Sequence, residues 1–180
     1  MILSPVIQSL GHARGNPDAL LQVVEYGDYA SAECQRAQQV VNKLLPALEN
    51  DIHFIFRAYP LLEAHPHAIV AAVAAEAAAI QDKFWEMHDM LFANQHQLHE
   101  AALHQYAATI GLDMHQFRHD MRDRPIEQLV AASYTSGLQS GVADTSTFFI
   151  NGEKYKYELT ADYFVQHLLQ IQNELFERQY

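Results

Sequence analysis

Apolar positions along this chain change their period several times, and each change marks an element. Leu20 to Tyr26 is a short apolar run broken only by Gln22 and Glu25, the pattern of a buried strand. Gly27-Asp28 then signals a turn. From Ala32 to Leu48 the apolar residues Ala37, Val40, Val41, Leu44, Leu45 and Leu48 recur at helical spacing. Residues 51–59 (DIHFIFRAY) alternate in part and are rich in β-formers, and Pro60 closes them. This second strand is expected to run parallel to the first, completing a βαβ unit. Residues 1–19 read as an approach segment ending in Gly15-Asn16-Pro17-Asp18.

The next 80 or so residues are helical in pattern. Ala68 to Ile80 is almost all Ala, Val and Ile, so this helix should be buried on nearly every side. Further helices are predicted over Phe84 to Gln95, Leu98 to Ile110, Met114 to Arg122 and Ile126 to Ser140. Gly111-Leu112-Asp113 supplies a stop and a new N-cap, and Pro125 separates the last two. Thr147 to Ile150 (TFFI) then reads as a strand, Asn151-Gly152 as a type I′ hairpin turn, and Glu153 to Tyr157 as the returning strand. Thr160 is expected to cap a last helix to about Glu177, with Phe164, Leu168, Leu169, Ile171 and Leu175 on its apolar face.

Composition narrows the class. A length of 180 residues fits one domain, large enough to bury roughly 70% of its unfolded surface. Hydrophobic content of 49% and charged content of 18% describe a globular chain. No apolar run reaches the ~18 residues of a membrane span. The start, MILSPVIQSLGHARG, lacks a basic segment followed by a long apolar core, so no signal peptide is expected. The single cysteine excludes an internal disulfide. Together these features point to the cytoplasm. A net charge of −11 disfavours nucleic acid and anionic membrane surfaces as partners.

The segment EYGDYASAEC (residues 25–34) resembles the active-site segment of the DsbA-like branch of the thioredoxin superfamily. That segment usually reads E-Y/F-G-D-Y/F-x-C-P-x-C. HPHAIVAAVAAEAA (65–78) and KFWEMHDMLFANQ (83–95) are similar to the helical insert of cytoplasmic-type DsbA-like proteins, some fused to sodium/proton antiporters. TFFING (147–152) is similar to the hairpin that follows the family's cis-proline. The resemblance implies one α/β domain: a thioredoxin-like core (βαβ…ββα) from residues 1–61 and 142–180, with an all-helical insert at about 62–141. It also implies the family's activity, thiol–disulfide exchange.

The candidate site departs from that pattern. Ser31 stands where the first cysteine belongs, Ala32 at the usual proline, and Cys34 at the second cysteine. In a CxxC enzyme the first cysteine attacks and the second resolves the mixed disulfide. A serine hydroxyl cannot form a disulfide, and Cys34 alone cannot complete a dithiol cycle. Cys34 is expected to be half-buried, with its pKa raised by burial and by Glu33. Ser31 is expected to cap the helix. Against this stands a hydroxyl that steadies a bound thiolate, as in the kappa-class glutathione transferases on a similar scaffold.

Ser146 stands where the family places its cis-proline. A cis bond before a non-proline residue costs ~3–4 kcal/mol, against ~0.5–1 before proline, so Thr145–Ser146 is expected to be trans. By the resemblance, Tyr29, Thr145 and Ser146 line the ligand groove, and Ser31 and Cys34 are the vestigial catalytic positions.

Eleven histidines invite a metal reading. His65-Pro66-His67, His96 with His99, and His115 with His119 form pairs, the last at i, i+4. No cysteine or carboxylate cluster completes any of them, so no metal is expected. No cofactor is expected either; glutathione is the one the resemblance leaves open. Three functions follow: a redox-inactive binder of a protein, peptide or small ligand; a glutathione-linked transferase or monothiol oxidoreductase through Ser31 or Cys34; and a redox-sensitive dimer joined through Cys34.

Overall fold

A computed structural model describes residues 10–48 and 50–177. The opening of the approach segment, residues 1–9, lies outside the described residues. The element order is β1 (His12–Gly15), β2 (Leu21–Gly27), α1 (Ala32–Ala47), β3 (Ile52–Ala58), α2 (Ala68–Ala79), α3 (Phe84–Ala93), α4 (Glu100–Thr109), α5 (Met114–Asp120), α6 (Arg124–Gln139), β4 (Thr147–Ile150), β5 (Glu153–Lys154) and α7 (Ala161–Glu177). The strands form one sheet in the order β1-β3-β2-β4-β5. The β2 and β3 strands are parallel, with Leu21 opposite Ile52 and Gly27 opposite Ala58. All other neighbours are antiparallel.

The approach segment contains a strand that the hydrophobic pattern did not reveal. Four residues, HARG, are too few to show alternation. Tertiary contacts order them instead. The open edge of β3 takes β1 with His12 opposite Phe56 and Gly15 opposite His53. From the other side, Trp85 Nε1 donates to the Ala13 carbonyl at 3.2 Å, and the His12 ring stacks on Phe84 at 3.5 Å. Arg14 lies 3.8 Å over the Trp85 ring. The last interhelix boundary also moves. Pro125 falls in the first turn of α6 rather than before it, where its missing N–H would be unpaired anyway.

Two-residue alternation divides the central strands between two faces. Leu21 and Val23 with Phe54 and Phe56 belong to the larger core, which runs through α1, the buried α2 and α3 to the last helix. Val24, Tyr26, Ile55 and Phe149 face the other way, onto Tyr59, Val142 and Tyr134 of α6. The helix α6 comes close to the sheet because Gly137 has no side chain: a Cβ there would overlap the Tyr59 ring. At the C-terminal end of β2 the chain turns into α1, and this end carries the site.

Candidate functional site

Ser31 is the N-cap of α1. Its backbone is extended (φ −85°, ψ 127°), and its Oγ accepts the Cys34 N–H at 3.3 Å. The same hydroxyl donates to Glu33 at 3.4 Å. Only 2% of Ser31 is exposed. Both hydrogen-bonding roles of the hydroxyl are therefore taken by its own helix turn.

Cys34 lies in the first turn of the helix and is 0% exposed. The Asp28 N–H donates to its sulfur at 3.3 Å, which favours a thiolate. Burial outweighs this and pushes the thiol up to about 12, with the Glu25 carboxyl adding to the rise. The sequence assigned that second contribution to Glu33, and the structure corrects it. Glu33 points outward and binds Arg36 at 2.7 Å, and its own backbone N–H together with Arg36 lowers its pKa.

Glu25 is the site residue that the sequence reading passed over. It lies on the Leu21 and Val23 face of β2, beneath α1, and is fully buried. Neither carboxylate oxygen has a hydrogen-bond partner among the described residues. Burial alone raises its pKa to about 8. A signal was present: a single carboxylate at the in-facing phase of an otherwise apolar strand.

Asp28, read at first only as a turn residue, organises the loop. Its Oδ1 accepts the Ala30 N–H at 2.8 Å, and its Oδ2 accepts the Leu61 N–H at 2.8 Å. His65 Nδ1 lies 2.8 Å from the same Oδ2. One buried carboxylate thus joins the β2–α1 turn to the segment leading into the helices. Gln95 repeats the link, donating to the carbonyls of Tyr29 and Ser31 at 2.8 Å each.

The groove residues are placed unevenly. Tyr29 does not line an open groove. Its ring is buried against Phe56 and Phe92, and its hydroxyl meets His88 Nδ1 at 3.1 Å. A large apolar ring gains more from this aromatic core than from water. Thr145 is buried beside the Cys34 sulfur, and Ser146 is half-buried. The Thr145–Ser146 bond is cis, which corrects the expectation of trans. That expectation weighed only the intrinsic preference of the peptide. The loop is also held by a tertiary bond, Tyr59 donating to the Val142 carbonyl at 2.9 Å, and by a local one, Thr147 donating to the Asp144 carbonyl at 2.7 Å.

Among the described residues, no group of three or more His, Cys, Asp or Glu side chains is arranged to hold a metal. His88 is a core residue, and burial lowers its pKa well below the usual value. His99 caps α4, accepting the Ala102 N–H at 3.3 Å.

The matched family model settles the affiliation: the Thioredoxin model covers residues 8–169. The chain belongs to the thioredoxin family. Its DsbA-like character shows in the fold. The crystal structure of α-DsbA1 from Wolbachia pipientis is similar, with a TM-score of 0.82 at 17% identity over 94% of both chains. A thioredoxin-like oxidoreductase from Silicibacter pomeroyi gives a TM-score of 0.80 at 25% identity, over 91% of this chain and 92% of that one. In sequence, the chain is 41% identical over 154 residues to a Na(+)/H(+) antiporter NhaA 1 of Salinispora arenicola. It is 36% identical over 157 residues to the NhaA antiporter of Herminiimonas arsenicoxydans. These matches cover 86% and 87% of this chain but only 24% and 25% of the relatives' lengths. The likeness is thus to a thioredoxin-like part of longer proteins. Among the described residues, no helix is long and apolar enough to cross a membrane.

Proposed function

We propose that this chain is a thioredoxin-fold binding domain that has lost dithiol–disulfide exchange. It engages a protein, peptide or small ligand at the surface around Ser31, Thr145 and Ser146. One observation carries the reading: the only sulfur of the site, Cys34, is fully buried with its thiol pushed up to about 12, and a serine replaces its partner. Disulfide exchange needs an accessible thiolate, and this site offers neither access nor ionisation near neutral pH. The antiporter-named relatives are matched over about a quarter of their length, which supports no ion transport by this chain. We place the domain in the cytoplasm on the strength of its single unpaired cysteine.

The alternative is a glutathione-linked or monothiol enzyme through Ser31 or Cys34, and its support is the likeness to an oxidoreductase at 25% identity. The buried, doubly engaged Ser31 hydroxyl weighs against it. Insulin reduction, thiol titration of the native protein and glutathione affinity separate the two. Insulin reduction at background rate, a Cys34 thiol that reacts only after unfolding, and no glutathione binding are expected. Catalysed insulin reduction that Cys34→Ser abolishes would overturn the proposal.

A further inference from the structure

Far from Ser31 in sequence, α5 and the turn after it gather basic side chains. His115, Arg118 and His119 follow the i, i+3, i+4 spacing of one helical face, and Arg122 follows two residues beyond the helix end. All four are exposed, while Phe117, Asp120 and Met121 turn inward. With Asp123 they line an open cavity of about 400 Å³, the scale of a small-ligand site.

The concentration is unusual for this chain. It has 22 Asp and Glu against 11 Lys and Arg, yet Arg118, Arg122 and Arg124 fall within one short stretch. Arg118 and His119 sit in the last turn of α5, where basic side chains suit the helix dipole, but that does not account for Arg122, which lies beyond the helix. Carboxylates offset part of the charge, among them Asp123, which lines the cavity itself. Asp120 Oδ1 lies 3.2 Å from His119 Nδ1, and Glu100 is shared, 3.9 Å from His104 and 4.0 Å from Arg122. Asp113 is occupied in capping α5, accepting the Gln116 N–H. Among the described residues, no carboxylate lies within ion-pair distance of Arg118 or His115.

We propose that this cluster is a binding site for a phosphate group. Two guanidinium forks lining one cavity match the oxygens of a phosphate and hold them through paired N–H donors. His115 lines the same cavity and adds an imidazole donor, while His119 is engaged with Asp120. The cavity takes a compact anion, and the net charge of −11 opposes both an extended polyanion such as nucleic acid and an anionic membrane, which favours a phosphorylated small molecule as the source. The phosphate can belong to a phosphorylated small molecule or to a lipid headgroup, and the two sources give different outcomes.

The test titrates the unmodified protein with sodium pyrophosphate and follows backbone amide resonances by NMR. Shifts centred on residues 115–123 are expected, and shifts centred elsewhere or none would contradict the small-molecule source. In parallel, the protein is sedimented with vesicles of phosphatidylcholine, with and without phosphatidylglycerol. Binding to the anionic vesicles alone, without pyrophosphate binding, assigns the site to lipid headgroups. The variant carrying Arg118→Gln and Arg122→Gln should weaken either interaction by about tenfold or more, while Lys43→Gln on α1 leaves it unchanged. Absence of both interactions, or a response equal in the two variants, would overturn the proposal.

Discussion

At the scale of single residues, the site is governed by where one acid and one thiol are placed relative to water. Glu25 and Cys34 are both fully buried, and burial is the largest cause of the rise in each pKa. For Glu25 the sign follows from linkage. The native carboxyl holds its proton up to about 8, whereas the unfolded one releases it near 4.5. Between those values the native state binds more protons, so stability falls as pH rises through that window. It is flat above and below the window. Each unit of displacement is worth about 1.4 kcal/mol. Urea unfolding at pH 5 and pH 8 should therefore show a stability loss of a few kcal/mol at the higher pH. Glu25→Gln should remove most of that difference; an unchanged slope in the variant would mean that another group produces it.

At the scale of elements, the β2–α1 turn is fixed by side chains reaching back to the backbone. Ser31 caps the helix, and Asp28 serves two backbone N–H groups from different segments. Replacing Asp28 by Ala would leave the Ala30 and Leu61 N–H groups without their acceptor and release His65. An orphaned, partly buried donor costs ~1–3 kcal/mol, so Asp28→Ala should lower stability by about 2–4 kcal/mol in chemical denaturation. A loss equal to that of an exposed substitution such as Lys43→Ala would contradict the role assigned to Asp28. The local pattern was legible here: Gly27-Asp28 signalled a turn and serine a cap. Nothing local tells that the same carboxylate also holds Leu61 and His65, because that bond joins residues more than thirty positions apart.

At the scale of the whole molecule, the chain keeps a DsbA-like thioredoxin fold. It superposes on α-DsbA1 of Wolbachia pipientis with a TM-score of 0.82 over 94% of both chains. If the rest of the scaffold is intact, two substitutions restore exchange. The variant carrying Ser31→Cys and Ser146→Pro should form an internal disulfide on oxidation, leaving no titratable thiol, and should reduce insulin above background. A variant that folds but keeps two free thiols after oxidation would place the block elsewhere, with the buried Cys34 sulfur as the first suspect.

The sequence by itself determined the order and type of nearly every element. Helical and strand periods are local properties, set by which side chains must leave water together. It also determined that an oxygen stands at position 31 where a CxxC motif carries sulfur, because a serine has no sulfur wherever it lies. Tertiary structure decided what depends on neighbours distant in the chain. It made His12–Gly15 a strand by offering the edge of β3 and the Trp85 side chain. It turned Tyr29 from a groove residue into core by surrounding it with Phe56, Phe92 and His88. It anchored the loop ahead of Thr145–Ser146 through the bond from Tyr59 to the Val142 carbonyl. It also put Glu25, not Glu33, beside Cys34, since the strand's in-facing side lies under the helix while the adjacent helix residue points to solvent.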